Sequence, residues 1–137
     1  MSGWSLEFSI DVDEQRRLVR AKVFGIWKGS HAEAYHAEFE EKAAVLFGQP
    51  WAKVVDLTNW KTSYPDTIDR IAEHMHWCHE HDNVLSLYAV NNPSTFRQLR
   101  EMIDRGGIGQ EAKVFRTVAE AESFLDANWM PAKKRAR

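Results

Sequence analysis

Between Trp51 and Val90 the chain passes from a short apolar run, Trp51-Ala52-Lys53-Val54-Val55-Asp56-Leu57, through a helical stretch from about Pro65 to His81, into a second apolar run, Val84 to Val90. A strand, a helix and a strand in that order make two parallel neighbours of one sheet, with the helix laid over one face as the crossover. This unit excludes an all-helical bundle and an all-antiparallel sandwich. The flanking sequence has to be compatible with it.

It is compatible. Trp4 to Val12 alternates large apolar with polar residues, the period of a half-buried strand. The polar stretch Asp13 to Arg17 turns the chain. Leu18 to Phe24 alternates again, with Val19, Ala21 and Val23 on one face, so an antiparallel hairpin is predicted. Ser30 with Glu33 has the spacing of a capping box, and Tyr35, Phe39, Ala43 and Leu46 supply the apolar stripe of a helix that Gly48 and Pro50 stop. After the second apolar run, Asn92-Pro93 is a cap and first-turn pair. Phe96, Leu99, Met102 and Ile103 mark the next helix, which ends at Gly106-Gly107. Ala112 to Phe115 is the last strand, and Thr117 with Glu120 caps a helix striped by Val118, Ala121, Phe124 and Leu125 and ending near Asn128. The predicted order is β-β-α-β-α-β-α-β-α. It describes an α/β fold: a mostly parallel five-stranded sheet with an N-terminal antiparallel hairpin and four helices. A chain of 137 residues can bury one core of this size. One domain over 1–130 is expected, followed by a basic flexible tail, 131–137.

Composition narrows the partners. Eighteen basic and twenty acidic residues give a formal charge of −2, so no broad positive field attracts nucleic acid. The one basic cluster, Lys133, Lys134, Arg135 and Arg137, follows Pro131 without apolar patterning and reads as solvated tail. No apolar run approaches the roughly 20 residues that span a bilayer. The single Cys78 cannot form an internal disulfide, and Met1-Ser2-Gly3-Trp4 lacks the plan of a secretion signal, so a reducing cytoplasm is the expected setting.

The opening hairpin, the glycine after the second strand (Gly25), the strand running into Asp56-Leu57-Thr58, and the close Phe115-Arg116-Thr117-Val118-Ala119-Glu120-Ala121 together resemble the STAS family of SpoIIAA-like, anti-sigma-factor-antagonist domains. The resemblance spans nearly the whole chain and implies a non-enzymatic regulatory module that binds a protein partner or itself. Signalling members of that family carry a phosphorylatable serine in an Asp-Ser-Ser-Gly-like segment at the start of the helix after this strand. Here that place reads Tyr64-Pro65-Asp66-Thr67. Asp66 suits the positive end of the helix and would repel a phosphate. Ser63 and Thr67 are the nearby hydroxyls at which a displaced phosphosite would have to lie.

Two groups of residues are candidates for binding. Ligands of open α/β sheets sit at the carboxyl ends of the parallel strands. That places Trp27, Asp56, Thr58, Asn59, Trp60, Lys61, Asn91, Asn92 and Arg116 around a site for a small anionic or amphipathic molecule, such as a lipid. The bland alternative is that Trp27 and Trp60 roof the core and Asn92 caps a helix. The second group lies on the helix from Pro65 to His81. With Ile68, Ile71, Ala72, Met75 and His79 on its core face at about 100° per residue, the opposite face presents Arg70, His74, Trp77 and His81, a candidate homodimer contact that would cover Trp77. His74, Cys78 and His81 have spacings at which three soft ligands could meet zinc. Three ligands from one helical turn are crowded, and no second cysteine supports them, so no metal and no cofactor are expected. No catalytic residues are assigned. Ser30 and His31 are adjacent and point apart, Asp66 and Asp69 read as dipole partners, and Gly106-Gly107-Ile108-Gly109 follows a helix where a phosphate loop would precede one.

Overall fold

The computed structural model describes residues 7–129. The chain runs β1 (Phe8–Asp13), β2 (Leu18–Trp27), α1 (Gly29–Ala43) with a 3-10 turn at Ala44–Leu46, β3 (Trp51–Ser63), α2 (Pro65–Glu80), β4 (Asn83–Ala89), α3 (Pro93–Gly106), β5 (Ala112–Phe115) and α4 (Val118–Asn128). The expected beginning of the first strand at Trp4 and the basic tail lie outside the described residues.

The five strands form one sheet in the order β1-β2-β3-β4-β5. β1 and β2 are antiparallel, and β2-β3, β3-β4 and β4-β5 are parallel. β3 is therefore central and covered on both faces, which is why its first five residues, Trp51 to Val55, are all buried. Trp51, Val55 and Leu57 belong to the larger core under α1, α2 and α3. Ala52 and Val54 belong to the smaller core with Leu18, Leu87, Ala121, Leu125 and Trp129 beneath α4.

Two elements differ from the sequence reading. β2 and β3 both continue past their expected ends, to Trp27 and Ser63, and remain paired (Trp27 with Ser63), whereas β4 stops opposite Asp56 at Ala89. Residues 58–63, which lie between the expected strand and the expected helix, are thus strand as well. The register between β2 and β3 slips twice, once between Lys22 and Phe24 and once between Gly25 and Ile26. The first slip inserts an extra residue in β3, so Leu57 and Trp60 both enter the larger core although three positions apart. Gly25 sits at this bulged stretch with φ +73°, a left-handed conformation that costs glycine little.

The second difference concerns capping. The imidazole of His31, not Ser30, closes the start of α1: its Nδ1 accepts from the Lys28 N–H at 2.9 Å. The expected caps at Asn92 and Thr117 are present, with Asn92 Oδ1 accepting from Ser94 N at 2.8 Å and Thr117 Oγ1 from Glu120 N at 3.1 Å.

Candidate functional site

The residues assigned to the strand ends divide among three places. Asn91, Asn92 and Arg116 line an open groove of about 680 Å³ at the ends of β4 and β5, joined there by Phe96 and Arg100 of α3. Asp56, Thr58, Asn59 and Lys61 stand away from it on the prolonged β3. Asp56 Oδ1 accepts from both the Thr58 hydroxyl (2.6 Å) and its N–H (3.0 Å), a closed local motif, while Asn59 and Lys61 are exposed. Trp27 and Trp60 are buried. Trp27 Nε1 donates to the Phe24 carbonyl and Trp60 Nε1 to the Ser63 hydroxyl, so both indoles are satisfied internally. The strand ends therefore do not form the single pocket expected, because β2 and β3 outrun β4 and carry their tryptophans into the core.

The α2 face is also redistributed. α2 lies between α1 and α3, so its buried arc is wider than a helix packed only on a sheet would show. Cys78 and His74 are buried, and His79 is exposed with its Nδ1 at 2.5 Å from a Glu111 carboxylate oxygen. His74 is thus not part of an outward face. Its ring packs edge-on against Tyr35 and Phe39 of α1, its Nδ1 lies 2.9 Å from His36 Nδ1, and its Nε2 lies 3.5 Å from Cys78 Sγ. Trp77 is half-buried against its own chain, with ring centroids 4.8 Å from His36, 5.4 Å from Phe47 and 4.4 Å from His81. His81 donates from Nδ1 to the Trp77 carbonyl. Arg70 remains exposed and pairs with Glu33 of α1.

Both hydroxyls near the helix start are enclosed. Ser63 Oγ accepts from Trp60, and Thr67 Oγ1 donates to the Trp27 carbonyl at 3.1 Å. Gln98 of α3 reaches across to this junction, accepting from Ser63 N and donating to Thr62 Oγ1 at 3.1 Å each. Two large apolar side chains remain outside: Ile26 and Tyr64, neighbours of the paired Trp27 and Ser63, are 53% and 50% exposed.

Sequence reasoning passed over the polar cluster beneath the helices. Lys53 is 1% exposed, on the same face of the sheet as Val55 and Tyr88, which pair across β3 and β4. Its ammonium lies 5.7 Å from the Phe39 ring centre and 5.9 Å from that of Tyr88. Among the described residues it has no carboxylate within 4.0 Å. Burial opposes its charge, Cys78 and Tyr88 beside it favour it, and the balance holds its pKa above the ordinary lysine value. Burial pushes the Cys78 thiol and the Tyr88 phenol upward and the Tyr35 phenol well upward. It drives His74 well down, helped by Lys53 and then His36. Lys53 and Ser86 lie beside the Tyr88 hydroxyl, yet neither is in hydrogen-bonding geometry with it, and that hydroxyl is buried without a partner. The signal was the lysine inside an otherwise apolar central strand. In a strand covered on both faces, no position is left for it to reach water.

By sequence, no family model and no curated protein matches this chain. By shape, several solved structures do, three of which are as follows. An uncharacterised protein of the DUF3478 family with a SpoIIAA-like fold, from Shewanella loihica PV-4, superposes with a TM-score of 0.64 at 12% identity, over 86% of this chain and 93% of its own. The fold is SpoIIAA-like. The chain superposes also on an anti-sigma factor antagonist from Mycobacterium paratuberculosis (TM-score 0.59, 16% identity, 87% of this chain and 94% of that one). The third is the anti-sigma factor antagonist SpoIIAA in its unphosphorylated form (0.60, 10%, 88% and 98%). At these identities the agreement is one of architecture. No helix among the described residues is long and apolar enough to cross a membrane.

Proposed function

We propose that this STAS-like domain is a non-catalytic regulatory module that acts by binding a protein, a second copy of itself included, through the tip where β2 and β3 end and α2 begins. The observation that carries this reading is the exposure of Ile26 and Tyr64 on either side of the Trp27–Ser63 pair. These are two large apolar side chains held on a tip braced by Gln98, with exposed Lys61 and Asp66 nearby in the chain to give polar contacts at the rim. Two of the structural neighbours are named for antagonising another protein. The groups best suited to covalent or acid-base chemistry, Lys53, His74 and Cys78, are closed inside the core and support a binding role. No phosphoswitch is assigned, since Ser63 and Thr67 are buried and already bonded.

The reading is tested by placing a photo-crosslinking residue at position 64 and, as a control, at Ser123 on the exposed side of α4, in cells that naturally make the protein. A defined protein adduct from position 64 alone is expected, and Ile26→Asp should remove it. Self-association is read separately by sedimentation, where Ile26→Asp should shift any dimer to monomer. Equal adducts from both positions would sink the assignment. A second reading, a carrier of a small anionic or amphipathic molecule, is favoured by the groove that sets Arg100 and Arg116 beside Asn91 and Phe96. Native mass spectrometry of gently purified protein would reveal such a cargo as a stoichiometric added mass.

A further inference from the structure

A cavity of about 40 Å³ lies inside the larger core, between the sheet and helices α1, α2 and α3. Lys53, Tyr88, Tyr35, His74 and Ser63 bring polar groups to its wall, and Met75, Met102 and other apolar side chains make up the rest. At roughly 10 to 15 Å³ for each water-sized occupant, it has room for about three such units, the scale of a molecule of four or five heavy atoms. Two features of the lining are unusual for an internal space. One is Lys53, which has no carboxylate within 4.0 Å among the described residues. The other is the buried Tyr88 hydroxyl, which has no group in hydrogen-bonding geometry among them.

The unmet needs of this space are mostly donors. The ammonium offers three N–H donors and no acceptor, and the Tyr88 hydroxyl offers one O–H donor beside the lone pairs of its oxygen. The nearby imidazole is already engaged by His36 and Cys78, and the Ser63 hydroxyl by Trp60. A cluster of waters brings as many donors as acceptors, and each water needs several polar partners, which the apolar remainder of the wall does not offer. A carboxylate brings acceptors only, supplies the missing negative charge, and leaves a short alkyl chain for the methionines. Buried charges in proteins are paired.

We propose that this cavity is a binding site for a small aliphatic monocarboxylate, its acid group held by Lys53 and Tyr88 and its alkyl end against Met75 and Met102. The cavity reaches Trp27, Trp60 and Ser63 beneath the β2–β3 tip, but the groups proposed to hold the acid are not the exposed Ile26 and Tyr64 of the protein-binding reading, so each proposal can fail alone.

The test uses the full chain with labelled methionine and leucine methyl groups, titrated at neutral pH with sodium propionate, with propionamide as a neutral molecule of the same shape, and with sodium chloride. Propionate should move the Met75 and Met102 methyl signals saturably while those of Leu125, on the opposite side of the sheet, stay still. Propionamide should bind at least tenfold more weakly, a difference of about 1.4 kcal/mol. Lys53→Met keeps the length of the side chain and removes the charge. It should keep the folded circular dichroism spectrum and lose propionate binding by at least tenfold. Tyr88→Phe should weaken binding by a smaller factor, and it tests the same contact should the lysine variant not fold. The proposal is overturned if propionate gives no saturable shift, if propionamide or chloride binds equally well, or if Lys53→Met binds propionate unchanged. It is overturned too if thiolate absorbance shows Cys78 ionised at neutral pH, because the cluster would then hold its own counter-ion.

Discussion

His74 is a neutral imidazole enclosed by Tyr35, His36 and Phe39 from α1, Lys53 from β3, and Cys78 and Trp77 from its own helix. In the unfolded chain it titrates near the ordinary value of 6.5, and in the fold well below that. As pH falls below about 6.5, the unfolded chain takes up a proton that the folded chain refuses, so this histidine lowers stability toward acid and has no effect above that pH. The slope it adds is at most about 1.4 kcal/mol per pH unit. Urea unfolding above and below pH 6.5 should show a steeper acid loss in the native sequence than in His74→Asn. Parallel pH profiles would show that His74 takes up its proton within the fold. Cys78 gives a second expectation at this scale. Fully buried and with its pKa raised, it should resist aromatic disulfide reagents in the native state and react at a rate that follows the unfolded fraction. Immediate labelling of native protein would contradict the burial.

At the scale of elements, the approach of α3 to α2 depends on one missing side chain. A Cβ at Gly106 would fall 2.9 Å from the Ala72 carbonyl oxygen and 3.2 Å from Met75 Cβ, in backbone and core that cannot step aside. Gly106→Ala is expected to cost about 1 to 3 kcal/mol by overpacking, read as a lower denaturation midpoint. Gly29→Ala is the contrasting case. The added methyl would meet the end of the Asp66 side chain, which can turn toward solvent, so its loss should be smaller. The prolonged ends of β2 and β3 depend on Gln98, whose amide bonds to Ser63 and Thr62. Gln98→Ala should lower stability by about 1 kcal/mol and speed hydrogen exchange at Ser63 while leaving β4 unchanged. An unaltered exchange rate at Ser63 would mean that β3 holds the tip without help.

The whole molecule is built as two cores sharing one sheet. β3 contributes Trp51 and Val55 to one and Ala52 and Val54 to the other, and β4 does the same with Tyr88 and Leu87. Neither side can lose its packing without disturbing strands the other needs. Unfolding followed by near-ultraviolet and far-ultraviolet circular dichroism is expected to give one coincident transition. Two separated transitions would show that α4 detaches alone. α4 is fastened by more than its apolar stripe: Arg20 forms a paired hydrogen bond to Glu122 at 2.8 Å, and Trp129 Nε1 donates to the Arg16 carbonyl at 2.6 Å. The Arg20 pair is partly exposed and adds about 1 kcal/mol or less.

Local order was legible in the sequence because its causes are local. Alternation of period two, stripes of helical period, the Asn92 and Thr117 caps and the Gly106-Gly107 stop together determine the order of elements, and that order with its crossovers yields the observed sheet. Ser30 misled because a histidine three residues after Lys28 can close the same turn. The candidate site was less legible. Which strand outruns its neighbour, where the β3 bulge turns Trp60 inward, and how far α1 and α3 wrap the flanks of α2 are set by packing between segments far apart in the chain. Those long-range contacts, and not the residues' own spacing, place His74 inside, His79 outside, and Lys53 in the buried interior beside the central strand.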